Sequence, residues 1–452
     1  MKNFTVAEIL DACGGKFSGN LDILAKEVNS ITTDSRKAGK GAVFAAIVGE
    51  RVDGHSFIPQ CIEIGAICSI CEREPSDGSA HILVESTPEA LIKIAEKYRE
   101  KFNIPFVGIS GSVGKTSTKE IISSVLSERF HTHKTQGNFN NALGVPITLF
   151  ALEETHTAAV IEMGISDFGE MSVLANMAKP DIAVLTNVGK CHLENLKDLK
   201  GVLKAKTEML DFLREGGTVV LNGDDMNLRN AVIPEGAKVI FYGLDEQNDI
   251  FATDIKSDNE TFTDFTVHTK DMEFSARIHN LGEHMVQNAL AAVAVGLTLG
   301  LTKEEIIKGL DAYRTIGGRA NIIKTENLTI IDDCYNANPE SMKASLKTLS
   351  AFDGRRVALV GDMKELGENE KELHREIGEL IAELKLDLVI AVGDLALEIY
   401  KAARQHIDAE WYQSIEEAKL YMYEMLTIGD TVLVKASHSM NFAELVEQIK
   451  EL

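Results

Sequence analysis

The sequence predicts an α/β protein of three domains, with mainly parallel sheets in the second and third. The chain has 452 residues, enough for several domains. From residue 99 to 315, short buried strands alternate with helices. From residue 316 to 452, a strand-turn-helix unit recurs, which is typical of a doubly wound sheet. Residues 1–98 mix short strands with helices and are predicted to form a mixed α/β domain.

The N-terminal domain is predicted from three short strands, AVFAAI, AICSICE and HILVES, without a phosphate-binding loop. AICSICE contains Cys68 and Cys71 as C-x-x-C, but no second cysteine pair or histidine pair completes a zinc-binding set. The other four cysteines are scattered along the chain. We therefore interpret the cysteines as core thiols rather than as a metal or redox site.

The central domain is predicted from the strands FVGIS, AAVIEMG, IAVLTNV and TVVLN, which alternate with helices as in a wrapped parallel sheet. From about Asp249 to His279, apolar and polar residues alternate, which predicts antiparallel strands. The helix HMVQNALAAVAVGLTLG follows. The pair Gly317-Gly318 then indicates a hinge or linker.

The C-terminal domain is predicted from TIIDD, VALVGD, LVIAVGD and TVLVKAS, each of which precedes a helical stretch. The first of these helices opens at Pro339, because proline is favoured in the first turn of a helix. We expect a Rossmann-like sheet that binds ligands at the carboxyl ends of its strands.

The sharpest motif is G-x-S-G-x-x-G-K-T at residues 108–116, between the strand PFVGIS and the helix KEIISSVLSERF. Glycines let several backbone N–H groups point at one phosphate, and the helix N-terminus adds a positive dipole end. Lys115 can then reach the β- and γ-phosphates, and Thr116 can ligate Mg²⁺. Ile109 breaks the generic spacing, yet an ordinary glycine turn accounts less well for the flanking strand and helix. The motif predicts nucleoside triphosphate binding but not its use.

Three further residues are candidates because of their positions near this loop. Glu162 ends a strand and is well placed to hold Mg²⁺, or is a solvent-exposed acid. His192 follows a strand and a glycine on the same sheet edge, where it is a metal ligand or a structural histidine. Lys206 lies in the helical stretch DLKGVLKAKTEMLDFL and is by default a surface lysine.

Polar side chains also follow two other predicted strands. Asn222, Asp224 and Asp225 either touch the nucleotide or form an Asx turn. The loop IIDDCYNANPES carries so many polar side chains that it indicates a binding loop rather than a helix cap alone.

Composition restricts the classes of partner. The hydrophobic fraction of 44% and the charged fraction of 25% are normal for globular proteins. No apolar run reaches the roughly 18 residues needed to span a bilayer, and MKNFTVAEILDACGG is typical of a short amphipathic helix rather than a signal peptide. We therefore expect a cytoplasmic protein without membrane insertion. The net charge of -23 argues against a nucleic-acid partner.

Taken together, these motifs resemble the Mur ligase family, the ATP-dependent amide ligases of peptidoglycan synthesis. The resemblance covers essentially the whole chain and includes the phosphate loop, T-N-V-G-x-x-H-L-E with the later A-K-x-E, and Gly318-Arg319. Within the family it is most similar to the branch that adds D-alanyl-D-alanine to UDP-N-acetylmuramoyl-tripeptide. The marks of that branch are GNFNNALGVPIT, DDCYNANPESM and GDMKELGENE. The segment 32–58 resembles the UDP-sugar-binding opening of the family.

The resemblance implies roles for individual residues. The nucleotide would be bound by Gly111, Ser112, Gly114, Lys115, Thr116, Ser117, Asn288, Arg319, Asp333 and Asn336. The metal ligands would be Thr116, Glu162 and His192, with two Mg²⁺ ions and a carbamylated Lys206 supporting the second. The catalytic set would be Lys115, Lys206, His192 and Arg319. The substrates would be bound by Asp34, Ser35, Arg36, Asn138, Asn141, Tyr335 and Asn338.

The implied reaction joins a carboxylate to an amine through an acyl phosphate, in a P-loop ATPase-like central domain over which the C-terminal domain closes. The N-terminal domain would bind UDP-N-acetylmuramoyl-tripeptide, and the C-terminal domain the nucleotide and D-alanyl-D-alanine. We expect a monomer that acts on small molecules. Two alternatives are another ligase of this group, MurE-like or folylpolyglutamate synthetase-like, and a P-loop ATPase without ligase activity. The MurE-type D-N-P-R loop does not occur in the chain.

The chain departs from the family pattern near its end. Where the family often has K-G-S-R-x-M-x-M-E, this sequence has Ala436, His438, Phe442 and Ala443 in place of Gly, Arg, Met and Glu. Met285 replaces an asparagine often found three residues before Asn288. These departures leave the expected ATP chemistry intact.

Overall fold

The computed structural model describes residues 1, 3–49, 51–258, 260–315 and 317–452. Within these residues the strands form three sheets that follow one another along the chain. This arrangement, with helices between the strands, confirms the predicted fold class of three α/β units. The boundaries at residues 98/99 and 315/316 stay a prediction, and residue 316 lies outside the described residues.

The first sheet has the strand order β1-β5-β4-β3-β2, with β1 antiparallel to β5 and the other pairs parallel. Its first helix starts at a capping box, in which Thr5 and Glu8 each accept a bond from the other's backbone N–H. The elements are α1 (Val6–Cys13), β1 (Lys16–Ser18), β2 (Ser30–Thr32), β3 (Ala42–Ala45), α2 (Ile58–Glu63), β4 (Cys68–Cys71), β5 (His81–Leu83) and α3 (Thr87–Arg99).

The cysteines of C-x-x-C lie on β4 and are both buried. Cys68 packs in the core that contains Ile70, while Cys71 packs with Phe44 in a separate core cluster. The two thiols therefore face different cores, since side chains alternate across a strand. Among the described residues, no group of three or more His, Cys, Asp or Glu side chains is arranged to hold a metal ion.

The central sheet has the order β14-β13-β12-β11-β10-β9-β6-β8-β7. It is parallel from β7 to β12, and β12, β13 and β14 pair antiparallel as predicted. The elements are β6 (Phe106–Ser110), α4 (Lys115–Leu126), β7 (Thr132–Lys134), α5 (Gly144–Phe150), β8 (Ala158–Glu162), α6 (Glu170–Ala178), β9 (Ile182–Leu185), α7 (Leu193–Leu196), α8 (Leu199–Thr207), β10 (Thr218–Asn222), α9 (Met226–Arg229), β11 (Lys238–Gly243), β12 (Ile250–Ser257), β13 (Thr263–Thr269), β14 (Glu273–Ile278), α10 (Glu283–Thr298) and α11 (Lys303–Ala312).

The middle strands of this sheet, β6, β8 and β9, are buried along their whole length. Their parallel pairing brings the carboxyl ends of all three to one edge. The phosphate loop, Glu162 and the segment Thr186–His192 follow these ends directly. The sheet therefore gathers the sequence candidates of the central part at the place where ligands bind in such folds.

The last sheet has the order β15-β16-β20-β17-β18-β19, with β15 antiparallel to β16 and the other pairs parallel. The elements are β15 (Asn321–Lys324), β16 (Thr329–Asp332), α12 (Pro339–Ser350), β17 (Arg356–Gly361), α13 (Glu370–Glu383), β18 (Leu388–Val392), α14 (Ala396–Ala403), β19 (Asp408–Tyr412), α15 (Ile415–Met425), β20 (Thr431–Lys435) and α16 (Ala443–Lys450). In the described part of the chain, no helix is long and apolar enough to cross a membrane.

A histidine cluster lies at the β7 edge of the central sheet. The ring of His156 is 4.6 Å from that of His131 and 4.9 Å from that of His133, measured between centroids. His133 is buried, and its Nε2 donates to the Thr148 carbonyl at 2.8 Å. Burial lowers the pKa of His133 to about 4, and burial also lowers the pKa of His156.

These shifts predict acid destabilisation. A histidine of the unfolded chain has a pKa of about 6.5, whereas the pKa of folded His133 is about 4. Between about pH 4 and about pH 6.5 the unfolded state therefore binds more protons than the folded state. The contribution is complete above pH about 6.5 and is lost as the pH falls toward 4. We expect His133→Gln, which keeps a donor to Thr148, to show a shallower fall in the free energy of unfolding across this window. Parallel urea titrations would measure it, and identical slopes for both proteins would contradict the assignment.

Candidate functional site

The phosphate loop turns from β6 into α4 through two glycines with positive φ. Gly114 has a φ of 80° and immediately precedes Lys115, the first residue of α4. Gly111 has a φ of 151°, and a Cβ there would lie 1.9 Å from Thr186 Oγ1. Among the described residues, no acceptor is bonded to the N–H groups of residues 114–117. Four consecutive free N–H groups at a helix N-terminus form a site for an anion.

Two lysines, the buried Lys206 and the partly buried Lys115, point at the Gly111 carbonyl of this loop. Lys115 Nζ donates to the Gly111 carbonyl at 2.8 Å, and Lys206 Nζ donates to the same carbonyl at 3.1 Å. Neither lysine has a carboxylate partner among the described ion pairs. Burial lowers the pKa of Lys115 and lowers the pKa of Lys206 to about 8. The pair supplies positive potential where the loop offers free N–H groups.

Lys206 is 1% exposed, so the interpretation of this residue as a surface lysine was wrong. It is close to the C-terminal end of α8, and the nearby ammonium of Lys115 also lowers its pKa. The sequence signal was the A-K-x-E match, because amphipathic periodicity alone did not place this side chain inside.

Glu162 lies at the end of β8 beside the loop. Its carboxylate accepts from Thr116 Oγ1 at 2.9 and 3.0 Å and from Asn140 Nδ2 at 2.8 Å. Lys119 Nζ lies 3.5 Å from Glu162 Oε2. Glu162 is 1% exposed, which excludes its interpretation as a solvent-exposed acid. A hydroxyl oxygen and a carboxylate in contact are hard donors that fit Mg²⁺.

His192 lines the same cleft but bonds elsewhere. Its Nδ1 is 2.6 Å from Glu365 Oε2, across the seam between the central and last sheets. Burial lowers the pKa of His192, and Glu365 opposes that effect. Its φ of 50° places it in the left-handed region just before α7. The structure thus brings Thr116 and Glu162 into contact and leaves His192 paired with a residue of the C-terminal part.

The C-terminal loop after β16 forms the opposite wall. The Arg319 guanidinium lies 3.8 Å from the centroid of the Tyr335 ring. Asn336 Oδ1 accepts from the N–H groups of Ala337 and His438 at 2.9 and 3.2 Å. Asn338 caps α12 by accepting from the N–H of Ser341 at 2.9 Å. Asn338 therefore acts as a helix cap, while the neighbouring side chains face the cleft.

The Asp333 carboxylate accepts hydrogen bonds from three residues. Asp333 was a candidate from the sequence, but its partner Lys435 was not. Its carboxylate accepts from Lys435 Nζ and Ser345 Oγ at 2.6 Å each, and from the Ala320 N–H at 3.0 Å. Lys435 is 2% exposed and was not among the candidates, although it ends the predicted strand TVLVKAS. The bonds to Asp333 therefore connect Ala320, which follows Arg319, with Lys435 at the end of β20 in the last sheet.

Asn288 packs against the phosphate loop. Its Oδ1 accepts from Thr118 Oγ1 at 3.1 Å, and its Nδ2 is 3.6 Å from Met285 Sδ. A Cβ on Gly114 would lie 3.0 Å from Asn288 Oδ1, so the loop and α10 approach closely here. A thioether is a weak acceptor, which leaves the Asn288 amide readily available to a ligand.

The candidates that share the cleft enclose about 520 Å³ between the central and C-terminal parts. Asn141 lies there and accepts from the N–H groups of Leu143 and Gly144, at the start of α5. The candidates that line the cleft are Ser112, Gly114, Lys115, Thr116, Ser117, Asn138, Asn141, Glu162, His192, Asn222, Asn288, Arg319, Asp333, Tyr335, Asn336 and Asn338. Gly111 and Lys206 contact this wall from behind.

Asp34, Ser35 and Arg36 do not line this cleft. Asp34 caps a short 3₁₀ turn and pairs with Arg36 at 2.8 and 2.9 Å. The bonds from Arg36 lower the pKa of Asp34 to about 2. These residues lie between β2 and β3 of the first sheet, so a substrate that they contact would lie outside the nucleotide-type cleft.

Comparison with known proteins gives a consistent family. The domain families described as Mur ligase family catalytic domain, Mur ligase middle domain and Mur ligase glutamate ligase domain match residues 27–99, 109–296 and 318–438. The UDP-N-acetylmuramoyl-tripeptide–D-alanyl-D-alanine ligase of Bacillus subtilis is 37% identical over 433 residues, which cover 94% of this chain and 93% of that protein.

Solved structures agree with this result. A crystal structure of MurF from Acinetobacter baumannii superposes with a TM-score of 0.91 at 32% identity and covers 99% of each chain. A structure of the MurF ligase from Thermotoga maritima in complex with ADP has a TM-score of 0.85 at 31% identity, covering 94% of this chain and 97% of that one.

Proposed function

The chain belongs to the Mur ligase family, and from this membership we propose that it joins D-alanyl-D-alanine to UDP-N-acetylmuramoyl-tripeptide with ATP as the energy source. The product is the UDP-muramoyl-pentapeptide precursor of peptidoglycan, needed for cell-wall biogenesis and thereby for cell shape and division. The observation that carries the proposal is the likeness to ligases of this one specificity over nearly the full chain. The absence of a D-N-P-R loop from the sequence counts against a MurE-like acceptor preference.

The reaction needs no protein nucleophile. A carboxylate oxygen of the tripeptide attacks the γ-phosphorus and ADP leaves, which forms an acyl phosphate. The dipeptide nitrogen then attacks the acyl carbon, and phosphate leaves with that oxygen while the amine loses a proton. The protein contributes positioning and charge neutralisation.

The residues divide this work by position. The free N–H groups of residues 114–117 and the ammonium of Lys115 would hold the β- and γ-phosphates. Thr116 and Glu162 would hold Mg²⁺, with His192 as a further ligand after release from Glu365. Bound Mg²⁺ supplies neutralisation of phosphate charge. Arg319 would turn from Tyr335 to the phosphates as the C-terminal part closes and excludes water.

Substrate roles follow from the same arrangement. Asn288 and Asn336 would contact adenine, and Asp333 the ribose. Asn138 and Asn141 would approach the muramoyl peptide, while Tyr335 and Asn338 would lie near the incoming dipeptide. Asp34, Ser35 and Arg36 would bind the UDP part on the first sheet.

An acceptor panel tests the proposal. We expect phosphate release to require UDP-N-acetylmuramoyl-tripeptide and to be far faster with D-alanyl-D-alanine than with D-alanine, L-amino acids or meso-diaminopimelate. Parallel assays with lysine-containing and diaminopimelate-containing tripeptides would also define the third residue. Two substrate pairs would be compared: UDP-N-acetylmuramoyl-tripeptide with D-alanyl-D-alanine, and UDP-muramoyl-dipeptide with meso-diaminopimelate. Equal turnover of the two pairs would contradict the assignment.

A further inference from the structure

Asn187 follows the carboxyl end of β9 and inserts its side chain into the phosphate loop. Its Oδ1 accepts from the N–H groups of Ser112 and Val113 at 3.1 and 2.9 Å. Its Nδ2 donates to the Val113 carbonyl at 3.2 Å. The reverse amide orientation would oppose donors to donors, so the network fixes this one.

The Val113 carbonyl is the key atom of this network. It accepts from Asn187 Nδ2 and also from Thr186 Oγ1, at 2.6 Å, so both lone pairs are used. In a continuous helix this carbonyl would accept from the N–H of Ser117, four residues later. The carbonyl is instead turned toward β9, and the N–H of Ser117, which belongs to the first turn of α4, has no bonded acceptor among the described residues.

The backbone N–H groups of the loop therefore fall into two sets, those bonded to Asn187 and those left free. The N–H groups of Ser112 and Val113 bond to Asn187, while the N–H groups of residues 114–117 stay free at the head of α4. A carbonyl oxygen facing the cleft would repel a phosphate, and Asn187 keeps the Val113 oxygen away from it.

We propose that Asn187 is a positioning residue for the nucleotide, which holds the loop in the conformation that presents four free N–H groups to the phosphates. This rests on the proposed function only for its effect on ligation, because nucleotide binding can be measured by itself. A residue that merely braces the fold would change thermal stability and leave nucleotide affinity unchanged.

The test is Asn187→Asp, which keeps the size and one acceptor oxygen and replaces the amide NH₂ donor with a second oxygen. The second oxygen meets the Val113 carbonyl without a donor, and the new charge lies beside the phosphate site. We expect the Kd for ADP, measured by calorimetry, and the KM for ATP to rise at least about tenfold, since the Val113 carbonyl loses a donor and a negative charge is added beside the phosphate site. The KM for the dipeptide should not change.

Asn230→Asp is the matched control. Asn230 Nδ2 also donates to a backbone carbonyl, that of Met226 at 2.7 Å, but the residue is exposed and lies outside the cleft. This variant adds the same charge, and we expect its Kd for ADP to equal that of the unsubstituted protein. A weakened Kd in both variants would overturn the inference, because it would reduce the effect to net charge.

Asn187→Ser is the second variant, in case the aspartate form does not fold. It loses the donor to Val113 and adds no charge, and we expect a smaller but measurable rise in the Kd for ADP. A folded variant of either kind with the Kd of the unsubstituted protein overturns the inference. A protein that binds ADP through Asn187 yet never ligates would instead contradict the proposed function.

Discussion

Replacing Lys206 by alanine is expected to reduce ligation turnover by about 10²–10³-fold, the effect typical of removing one preorganised electrostatic group. The physical reason is that carbamylation would change the charge of the Lys206 side chain from positive to negative. An ammonium would repel Mg²⁺, whereas a carbamate formed with CO₂ offers two oxygens and a negative charge. Carbamylation needs the neutral amine, and burial lowers the pKa of Lys206 to about 8. Turnover should therefore rise with pH between about 7 and 8.5, as the neutral amine becomes more abundant.

The Lys206 experiment has a chemical rescue and a neighbouring control. Formate or acetate should partly restore the alanine variant by occupying the vacated site, while ADP binding should persist. Lys204→Ala removes an exposed lysine of α8 that lies 5.7 Å from the Phe168 ring centroid, and it should retain turnover. If Lys206→Ala keeps the turnover of the unsubstituted protein in a buffer that contains CO₂, Lys206 has no carbamate role.

The substitution Glu162→Gln is expected to lower kcat/KM by about 10²-fold or more at low Mg²⁺, because it removes a buried anion that a hard cation needs. Glutamine keeps the shape and can still accept from Thr116 and Asn140, so the fold should survive. Raising the Mg²⁺ concentration should recover part of the loss.

Binding of Mn²⁺ in the presence of ADP, followed by electron paramagnetic resonance, gives a readout for Glu162 that does not depend on turnover. Glu162→Asp keeps the charge with a shorter reach and should fall between the two other proteins. An unchanged Mn²⁺ affinity in Glu162→Gln would show that this carboxylate holds no metal.

Local patterns were enough to predict the phosphate loop and the strands around it. The loop depends on glycines, a preceding strand and a following helix that are contiguous in the sequence, so Gly111 to Ser117 could be read directly. The antiparallel strands β12, β13 and β14 could be predicted as well, because their apolar and polar residues alternate with a period of two, which differs from the helical period of about 3.6.

Contacts between distant segments could not be predicted in this way. Lys435 meets Asp333 across 102 positions, and Asn187 meets the phosphate loop across about 75 positions. A single asparagine after a strand has no local pattern that announces its partner. Asn338 was readable as a substrate contact or a cap, and only its bond to the Ser341 N–H identifies the cap.

The departures at the C-terminal end have a partial structural account. The ring centroid of His438 lies 5.1 Å from that of Tyr335, with the two planes tilted by 41°, and the His438 backbone N–H donates to Asn336 Oδ1. The histidine that replaces the family arginine thus supports the loop that carries Tyr335 and Asn336. Ala436 and Phe442 are fully buried in the core of the last sheet, where they pack as apolar side chains.

A ligase of this kind activates a carboxylate with ATP and transfers the acyl group to an amine, so one carboxylate oxygen must leave with the phosphate. To follow this oxygen, the reactive carboxylate of the tripeptide would be labelled with ¹⁸O, and the labelled substrate would be incubated with ATP and D-alanyl-D-alanine. We predict one ¹⁸O atom in the phosphate released per peptide bond formed, together with the pentapeptide product by mass spectrometry. Phosphate without ¹⁸O, released whether or not the dipeptide is present, would show that water attacks ATP and would contradict the ligase mechanism.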